Sequence, residues 1–381
     1  MERRRGQVIA TDDAYLARAR ELAARAIADA APNPPVGTVL VRDGRTLGEG
    51  YHHRRGLAHA EVEALRDAQA DGTDVRGATA YVSLEPCNHH GATPPCTQAL
   101  IAAGIARVVI GTPDPNPRTA GGGIAALRAA GIVVDVLDDL ESRLLIERFA
   151  YTIANDRQPF VALKMAMSLD GVIAPRPGGA YWLTGDAVRE RVADLRFEYD
   201  AVMVGAGTIR IDDAQLTVRP HRVRAKPFTR VVVCETDTVP AASRVFAAPP
   251  DAPPEAYART IVLAPHSARA RFRNLSEIAT VVFVDSGDRP SLDLAAALGA
   301  LRALDITTVL CEGGPTLGGR LVAEGLVQRA IWFVAPRFVR TPDAVPVLAG
   351  ADLTLGPNGW TFDRVERVGN DVMLSARLDH V

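Results

Sequence analysis

Apolar and polar positions along the chain fall into two successive series of helix and strand patterns. In the first, Asp12 can cap a helix that runs to about Asp29 and is stopped by Pro32. Val36–Val41 reads as a strand, Asp43-Gly44 as a hairpin turn and Thr46–Tyr51 as the return strand. A helix opens near His59 and runs to about Gln69; Ala78–Leu84 is a buried strand leading into Glu85-Pro86-Cys87. A helix at Cys96–Ala103, a strand at Arg107–Gly111, a helix at Ile124–Ala130 and a strand at Ile132–Val136 complete the series. Helices interleaved with mostly apolar strands predict an α/β layered domain with one hairpin.

The charged, mostly helical stretch 138–158 reads as a connector, which divides the chain into domains 1–150 and 151–381. Strands then recur from Phe160, at Ala201–Val204, Arg230–Cys234, Thr260–Leu263, Thr280–Val284 and Thr308–Cys311, with helical patterns between several of them. The second half is therefore α/β as well. Residues 240–258 are rich in Ala and Pro and read as an exposed surface loop. Lys164 lies in an apolar strand, where pattern alone favours an edge-strand charge over a pocket residue. Asp170-Gly171 and Asp212-Asp213 both read as turns or site residues, and Asp114-Pro115-Asn116-Pro117 has turn chemistry.

Composition narrows the function. The chain has 381 residues, 48% hydrophobic and 23% charged, which suits a globular protein of two or three domains. A net charge of -2 with dispersed Lys and Arg excludes the basic face of a nucleic-acid binder, and Arg3 to Arg5 reads as a solvated tail. No leader pattern and no apolar stretch of roughly 20 residues is visible, so a cytoplasmic protein with no membrane partner is expected. Four cysteines in a chain of this length make no disulfide framework. Cys234 and Cys311 each end an apolar run and read as core thiols. Cys87 and Cys96 share a Pro/His-rich loop and read as metal ligands.

With His59 those two thiols form a soft, borderline ligand set that suits zinc. Three protein ligands leave one tetrahedral position for water, whose pKa zinc brings to about 7. Glu61, two residues from His59, can stand beside that water without binding the metal and act as general acid and base. Both the His59-Ala60-Glu61 pair and the cysteines sit at predicted helix starts, whose partial positive charge favours thiolate. The arrangement follows the H-x-E, P-C, C order of the zinc nucleobase deaminases, except that eight residues separate the cysteines here. A structural Cys2His2 site using His89 or His90, or a pair of core thiols, would share the ligands but needs neither Glu61 nor Pro86.

The runs Pro32-Asn33-Pro34-Pro35-Val36-Gly37, His59-Ala60-Glu61-Val62, Glu85 to Cys96 and Asp114-Pro115-Asn116-Pro117 are followed in order by five more. These are Leu163 to Gly171, Trp182-Leu183-Thr184-Gly185, Val204-Gly205-Ala206-Gly207-Thr208, Asp212-Asp213 with Leu216 to Arg219, and Glu312-Gly313-Gly314-Pro315-Thr316. Across nearly the whole chain the set resembles the bifunctional diaminohydroxyphosphoribosylaminopyrimidine deaminase / 5-amino-6-(5-phosphoribosylamino)uracil reductase of bacterial riboflavin biosynthesis. The resemblance implies a cytidine-deaminase-like first domain and a dihydrofolate-reductase-like second domain. It implies a zinc hydrolase and an NADPH-dependent oxidoreductase in one homo-oligomeric chain, acting on a small phosphoribosyl pyrimidine.

By the same resemblance, Asn33, His52, His89, Asp114 and Asn116 meet the deaminase substrate. Ala166, Trp182, Thr208 and Asp212 meet NADPH, together with the glycine-rich turn and helix start Gly314, Pro315, Thr316, Leu317, Gly318, Gly319 and Arg320. Lys164, Arg196, Leu216, Arg219 and Glu312 surround the reductase substrate. By pattern alone the glycine-rich segment reads equally as a phosphate loop or an ordinary strand-to-helix turn. The chain departs from the family pattern at Ala92, where a basic residue is usual, at Ala180, and at Cys234-Glu235 after the Arg230 strand. Those departures leave open a paralogue with the same two chemistries on a related pyrimidine.

Overall fold

The computed structural model describes residues 2–89, 94–179, 181–235, 238–287, 291–353 and 359–378, with side chains from residue 12 onward. The chain forms two compact units, Met1–Ala154 and Asn155–Val381.

In the first unit, strands β1 (Gly37–Arg42), β2 (Arg45–Tyr51), β3 (Thr79–Val82), β4 (Arg107–Ile110) and β5 (Val133–Val136) form one sheet in the order β2-β1-β3-β4-β5. The β1–β2 hairpin turns at Asp43 and Gly44, both in the left-handed region, which matches the predicted Asp-Gly turn. β3, β4 and β5 are parallel and are joined through α3 (Cys96–Ala102) and α4 (Gly122–Ala129). One face packs Leu40, Ala80, Val82, Val108 and Ile110 against α2 (Ala60–Ala70), α3 and α4. The other face packs Val39, Val41, Tyr81 and Val109 against α1 (Glu2–Ala24). Alternate residues of β1 and β4 thus serve opposite cores, as the two-residue period of a strand requires.

The approach of α2 to the sheet has a simple sequence cause. Its buried stripe is Ala60, Glu61, Ala64 and Ala68, and it lies over Gly48 and Gly50 of β2. A Cβ on Gly50 would stand 2.3 Å from the Ala64 nitrogen, and one on Gly48 would stand 2.4 Å from the Ala64 oxygen. Alanine against glycine lets backbone meet backbone, and this fixes the depth at which the first turn of α2 enters the site.

Two expectations are corrected here. Asp12 does not cap α1, which starts at Glu2 and gives way to turns after Ala24. Asp12 lies inside the helix, buried, and accepts hydrogen bonds from Tyr81 Oη at 2.7 Å and Arg107 Nη2 at 2.8 Å. Burial opposes its ionisation, but these donors outweigh that and hold its carboxyl below the usual range. The stretch read as a connector folds into the first unit as α5 (Leu140–Leu145) and α6 (Glu147–Ala154).

The second unit contains β6 (Phe160–Ser168), β7 (Val172–Ala174), α7 (Asp186–Glu198), β8 (Ala201–Gly205), α8 (Ala206–Asp212), β9 (Thr229–Val233), β10 (Ile261–Pro265) and β11 (Thr280–Val284). α9 (Leu294–Ala303), β12 (Thr308–Cys311), α10 (Pro315–Ala323), β13 (Arg329–Ala335), β14 (Val345–Pro346), β15 (Trp360–Val368) and β16 (Asp371–Leu378) follow. Its main sheet has the order β11-β10-β9-β8-β12-β6-β13-β16-β15, and β14 pairs with β7 in a small separate sheet. All pairs from β11 to β13 are parallel, while β16 and β15 close one edge antiparallel. Val231 and Val233 of β9 face one apolar cluster and Val232 the other, so both faces of the parallel part are covered.

Cys234 and Cys311 are fully buried in these clusters, as expected of core thiols. Residues 240–258 are not simply exposed. They carry two short 3-10 turns, Arg244–Phe246 and Pro254–Ala256, that bury Val245 and Ala256. The small residues that made the segment look loop-like also let it lie flat on the core.

Candidate functional site

His59 is the N-cap of α2, and its side chain makes no capping bond. The imidazole turns instead to Cys96, the first residue of α3, with Nδ1 3.1 Å from Cys96 Sγ and 3.5 Å from Cys87 Sγ. The two sulfurs lie 3.4 Å apart. All three ligand atoms fall within 4.8 Å of one another, and they are the one such His/Cys/Asp/Glu group among the described residues. This convergence of one imidazole and two thiols fits a tetrahedral zinc with a fourth position open. The Cys96 thiol, the His59 imidazole and the Cys96 backbone N–H hold the Cys87 thiol well below the usual thiol range against the burial that opposes ionisation, and Cys96 is pushed up in turn.

Glu61 sits in the first turn of α2, only 3% exposed. Burial, with Cys87 beside it, pushes its carboxyl up to about 7. The group is therefore poised between acid and base, as a proton carrier must be. A cavity of about 430 Å³ opens over Glu61, His59 and Cys87 and includes Asn33, His52, His89, Asp114 and Asn116 in its walls. All five expected substrate residues of this unit are thus brought together. His52 Nδ1 donates to the Ala58 carbonyl at 3.0 Å, which leaves Nε2 to accept from the Asn33 amide at 3.0 Å. Burial lowers the His52 pKa, which favours the neutral ring that can accept from the Asn33 amide.

Two contributors to this site are absent from the sequence expectations. The buried carboxylate of Glu85 accepts from the backbone N–H groups of Asp114, Gly121, Gly123 and Ile124 at 2.9–3.2 Å. It ties the Cys87 loop to the Asp114-Asn116 wall. Phe149 and Ile153 of α6 also line the cavity. Their i, i+4 spacing was the available signal. His90 and Ala92 lie outside the described residues, as does Ala180 of the second unit.

In that unit a second cavity, of about 710 Å³, forms at the carboxyl ends of β6, β8, β9 and β12. Lys164, Ala166, Trp182, Thr208, Asp212 and Glu312 all line it, as do Gly314, Pro315, Thr316, Leu317 and Arg320. Lys164 is no edge residue: β6 lies between β12 and β13, and the ammonium stands 3.7 Å from Glu312. Arg196, in the last turn of α7, forks onto both Glu312 oxygens and donates to the Thr217 carbonyl at 2.7 Å. Burial alone would raise Glu312; Arg196 and Lys164 outweigh it and hold the carboxyl at about 2.

Arg196, Leu216 and Arg219 do not themselves line this cavity. Arg196 reaches it through Glu312, Leu216 is buried with φ 54°, and Arg219 bonds Thr217 and Gln215. Gly318 and Gly319 pack under Leu348 and Ala349 rather than into the cavity. Asp170 does not line the cavity; its carboxylate accepts from the backbone N–H groups of Val339 and Arg340 and so fastens that distant loop to the end of β6. Glu235 and Arg320 form an ion pair at the cavity wall.

Comparison with known proteins places these two sites in context. Residues 9–112 match the cytidine and deoxycytidylate deaminase zinc-binding region, and residues 159–374 match the RibD C-terminal domain. The riboflavin biosynthesis protein RibD of Escherichia coli is 37% identical over 380 residues, covering 95% of this chain and 98% of that protein. The chain belongs to the RibD family. Riboflavin biosynthesis protein RibD of Aquifex aeolicus is 38% identical over 373 residues, covering 95% of this chain and 97% of that protein. Among solved structures, RibD of Acinetobacter baumannii has a TM-score of 0.75 at 33% identity and covers 96% of this chain and 98% of its own. A deaminase/reductase from Thermotoga maritima has a TM-score of 0.78 at 34% identity and covers 97% and 99% respectively.

As a RibD-family chain, the protein is a bifunctional deaminase and reductase of riboflavin biosynthesis. Its first unit has the cytidine-deaminase-like fold and its second the dihydrofolate-reductase-like fold of RibD. Its substrate is accordingly a small molecule, and no helix among the described residues is long and apolar enough to cross a membrane.

Proposed function

We propose that the first unit holds zinc on His59, Cys87 and Cys96 and hydrolyses the exocyclic amine of 2,5-diamino-6-(5-phosphoribosylamino)pyrimidin-4-one. The second unit then reduces the ribosyl group of the product to a ribityl chain with NADPH. The observation that carries the first assignment is the convergence of the three ligand atoms beside a buried Glu61 in the cavity floor. When bound there, zinc supplies the Lewis acidity that makes a water nucleophilic near neutral pH.

The chain's own groups do the remainder. Glu61 takes a proton from the water as it adds to the ring carbon and gives it to the ring nitrogen; it then takes the proton of the new hydroxyl and gives it to the departing amine, so that ammonia leaves and a carbonyl remains. Asn33 presents both donor and acceptor to a pyrimidine edge. His52 holds that amide, and His89, Asp114 and Asn116 complete the wall around the phosphoribosyl arm.

For reduction, the glycine turn before α10 offers backbone N–H groups to the cofactor phosphates, with Gly313 and Gly314 both at positive φ. Ala166, Trp182, Thr208 and Asp212 bound the cofactor's side of the cavity. Lys164 and Glu312 meet the substrate, while Arg196, with Leu216 and Arg219 behind it, sets their positions. We place the enzyme in the cytoplasm as a homo-oligomer, with domains divided close to residue 150.

Ammonia release is to be measured from the diaminopyrimidine with zinc-loaded protein and no NADPH. Release is expected, with Glu61→Ala retaining zinc and losing turnover. No release from protein holding one zinc per chain would reject this substrate in favour of a related pyrimidine. Undiminished release by the Glu61→Ala variant would reject the proton-carrier role.

A further inference from the structure

Arg230, the second residue of β9, is a buried charge with no anionic partner among the described residues. It is 3% exposed, yet it makes one hydrogen bond, from Nη1 to the Ala247 carbonyl at 2.9 Å. Its Nε is buried with no partner. No carboxylate pairs with it among the described residues. Asp251 in the adjoining loop faces His221 Nε2 at 3.8 Å instead. The guanidinium lies 5.5 Å from the Tyr257 ring centroid, but the Tyr257 hydroxyl is already engaged by Val218 and His221. Burial lowers the Arg230 pKa to about 10, the direction expected of a cation without an anion.

The same side chain forms part of the wall of a cavity of about 200 Å³. The other walls are mainly apolar, from Phe246, Ala248, Pro249, Ala252 and Ile278; Thr260 and Arg259 also line it, but the Thr260 hydroxyl donates to the Val245 carbonyl and Arg259 is exposed and donates to the Ser276 carbonyl. This cavity shares no lining residue with the reductase cavity. Arg230 stands near the start of β9, whereas Val233 and Glu235 at the far end line the other space. A buried charge left unpaired costs several kcal/mol, and a guanidinium offers a planar fork that matches a carboxylate.

We propose that this cavity binds a small organic monocarboxylate, its carboxylate on the outer Nη N–H groups of Arg230 and its apolar body against Phe246, Ala248, Pro249 and Ala252. Arg230 is the one buried positive charge in the wall and balances a monoanion; Arg259 is exposed, bonded to the Ser276 carbonyl and screened by water, so it does little to hold the second charge of a phosphate dianion. The volume is below that of drug-sized sites, so the body is no larger than one ring.

Benzoate is the probe, titrated into the full chain by calorimetry in a carboxylate-free buffer at fixed ionic strength. Benzyl alcohol and inorganic phosphate are run alongside. Saturable benzoate binding is expected, at least tenfold weaker in Arg230→Met and abolished in Ala252→Phe, which fills the cavity and leaves Arg230 in place. Thermal unfolding checks that each variant is folded; if Arg230→Met is not, the Ala252→Phe result decides alone. Absence of saturable binding, or benzoate binding unchanged in Ala252→Phe, overturns the proposal. Phosphate or benzyl alcohol binding as tightly as benzoate overturns the assignment to a monocarboxylate.

Discussion

Replacing Glu312 by Gln removes the only negative charge from a cluster that also holds Arg196 and Lys164, and so leaves two buried cations facing each other. The Glu312 side chain is 8% exposed, and its carboxyl is held at about 2 against an ordinary 4.5. That displacement, about 2.5 pH units, corresponds to roughly 3 kcal/mol. Breaking a buried ion pair by removing one partner costs about 3–5 kcal/mol, which agrees. The second unit spans 155–381, and a unit of that size loses roughly 2–4 °C of Tm per kcal/mol, so a fall of about 6–12 °C is expected. All three tryptophans, Trp182, Trp332 and Trp360, belong to this unit, so tryptophan fluorescence follows its unfolding alone. Adding Lys164→Met to Glu312→Gln should recover part of the loss by removing one orphaned cation. The pH sign also follows. Because the folded pKa is depressed, the carboxylate's contribution is complete above 4.5 and is lost as pH falls toward 2. The urea midpoints of wild type and variant should therefore draw together as pH falls below about 4.5 and meet only near pH 2. A Tm loss below 2 °C, or a difference between the two proteins that does not change with pH, would refute the reasoning.

Other expectations concern the first unit. Gly123→Ala would put a Cβ 1.9 Å from the Pro86 carbonyl, next to Cys87. We expect zinc affinity to fall about 10- to 100-fold, measured by competition with a chromophoric chelator, while tryptophan-detected unfolding of the second unit stays unchanged. Glu85→Ala orphans four backbone N–H groups, of which that of Gly123 is fully buried, and should destabilise the first unit by about 1–3 kcal/mol in far-UV denaturation; a change under 0.5 kcal/mol would show that the loop holds itself. Cys87→Ser should lose zinc and ammonia release yet still reduce the pre-deaminated substrate. Loss of both activities would argue against independent sites.

The candidate metal cluster was legible because His59 and Cys96 stand at helix starts and Cys87 follows a strand end, in short runs of recognisable residue types. Glu85 was not, since its four partners come from residues 114–124, and a carboxylate among Glu-Pro-Cys carries no local mark of burial. Asp12 misled for a related reason. An acid at the head of an apolar pattern is the ordinary sign of a cap, and only the fold brings Arg107 and Tyr81 to it. Lys164 read as an edge charge because its counter-ion, Glu312, stands far along the chain. The antiparallel strands after Cys311 were also not read individually. Exposed Phe362 and Val365 on β15 blur the alternation that identifies a strand.

The strand order of the second unit also bears on the chain's birth at the ribosome. β6 ends at Ser168, but its neighbours in the sheet are β12, from Thr308, and β13, from Arg329. Synthesis at roughly 5–20 residues per second leaves this apolar strand without partners for on the order of ten seconds. The sheet and the two cores of the first unit draw on residues before Ala154 and can close meanwhile. Nascent-chain pausing before residue 308 should therefore expose the β6 segment to chaperones while the deaminase half is already folded.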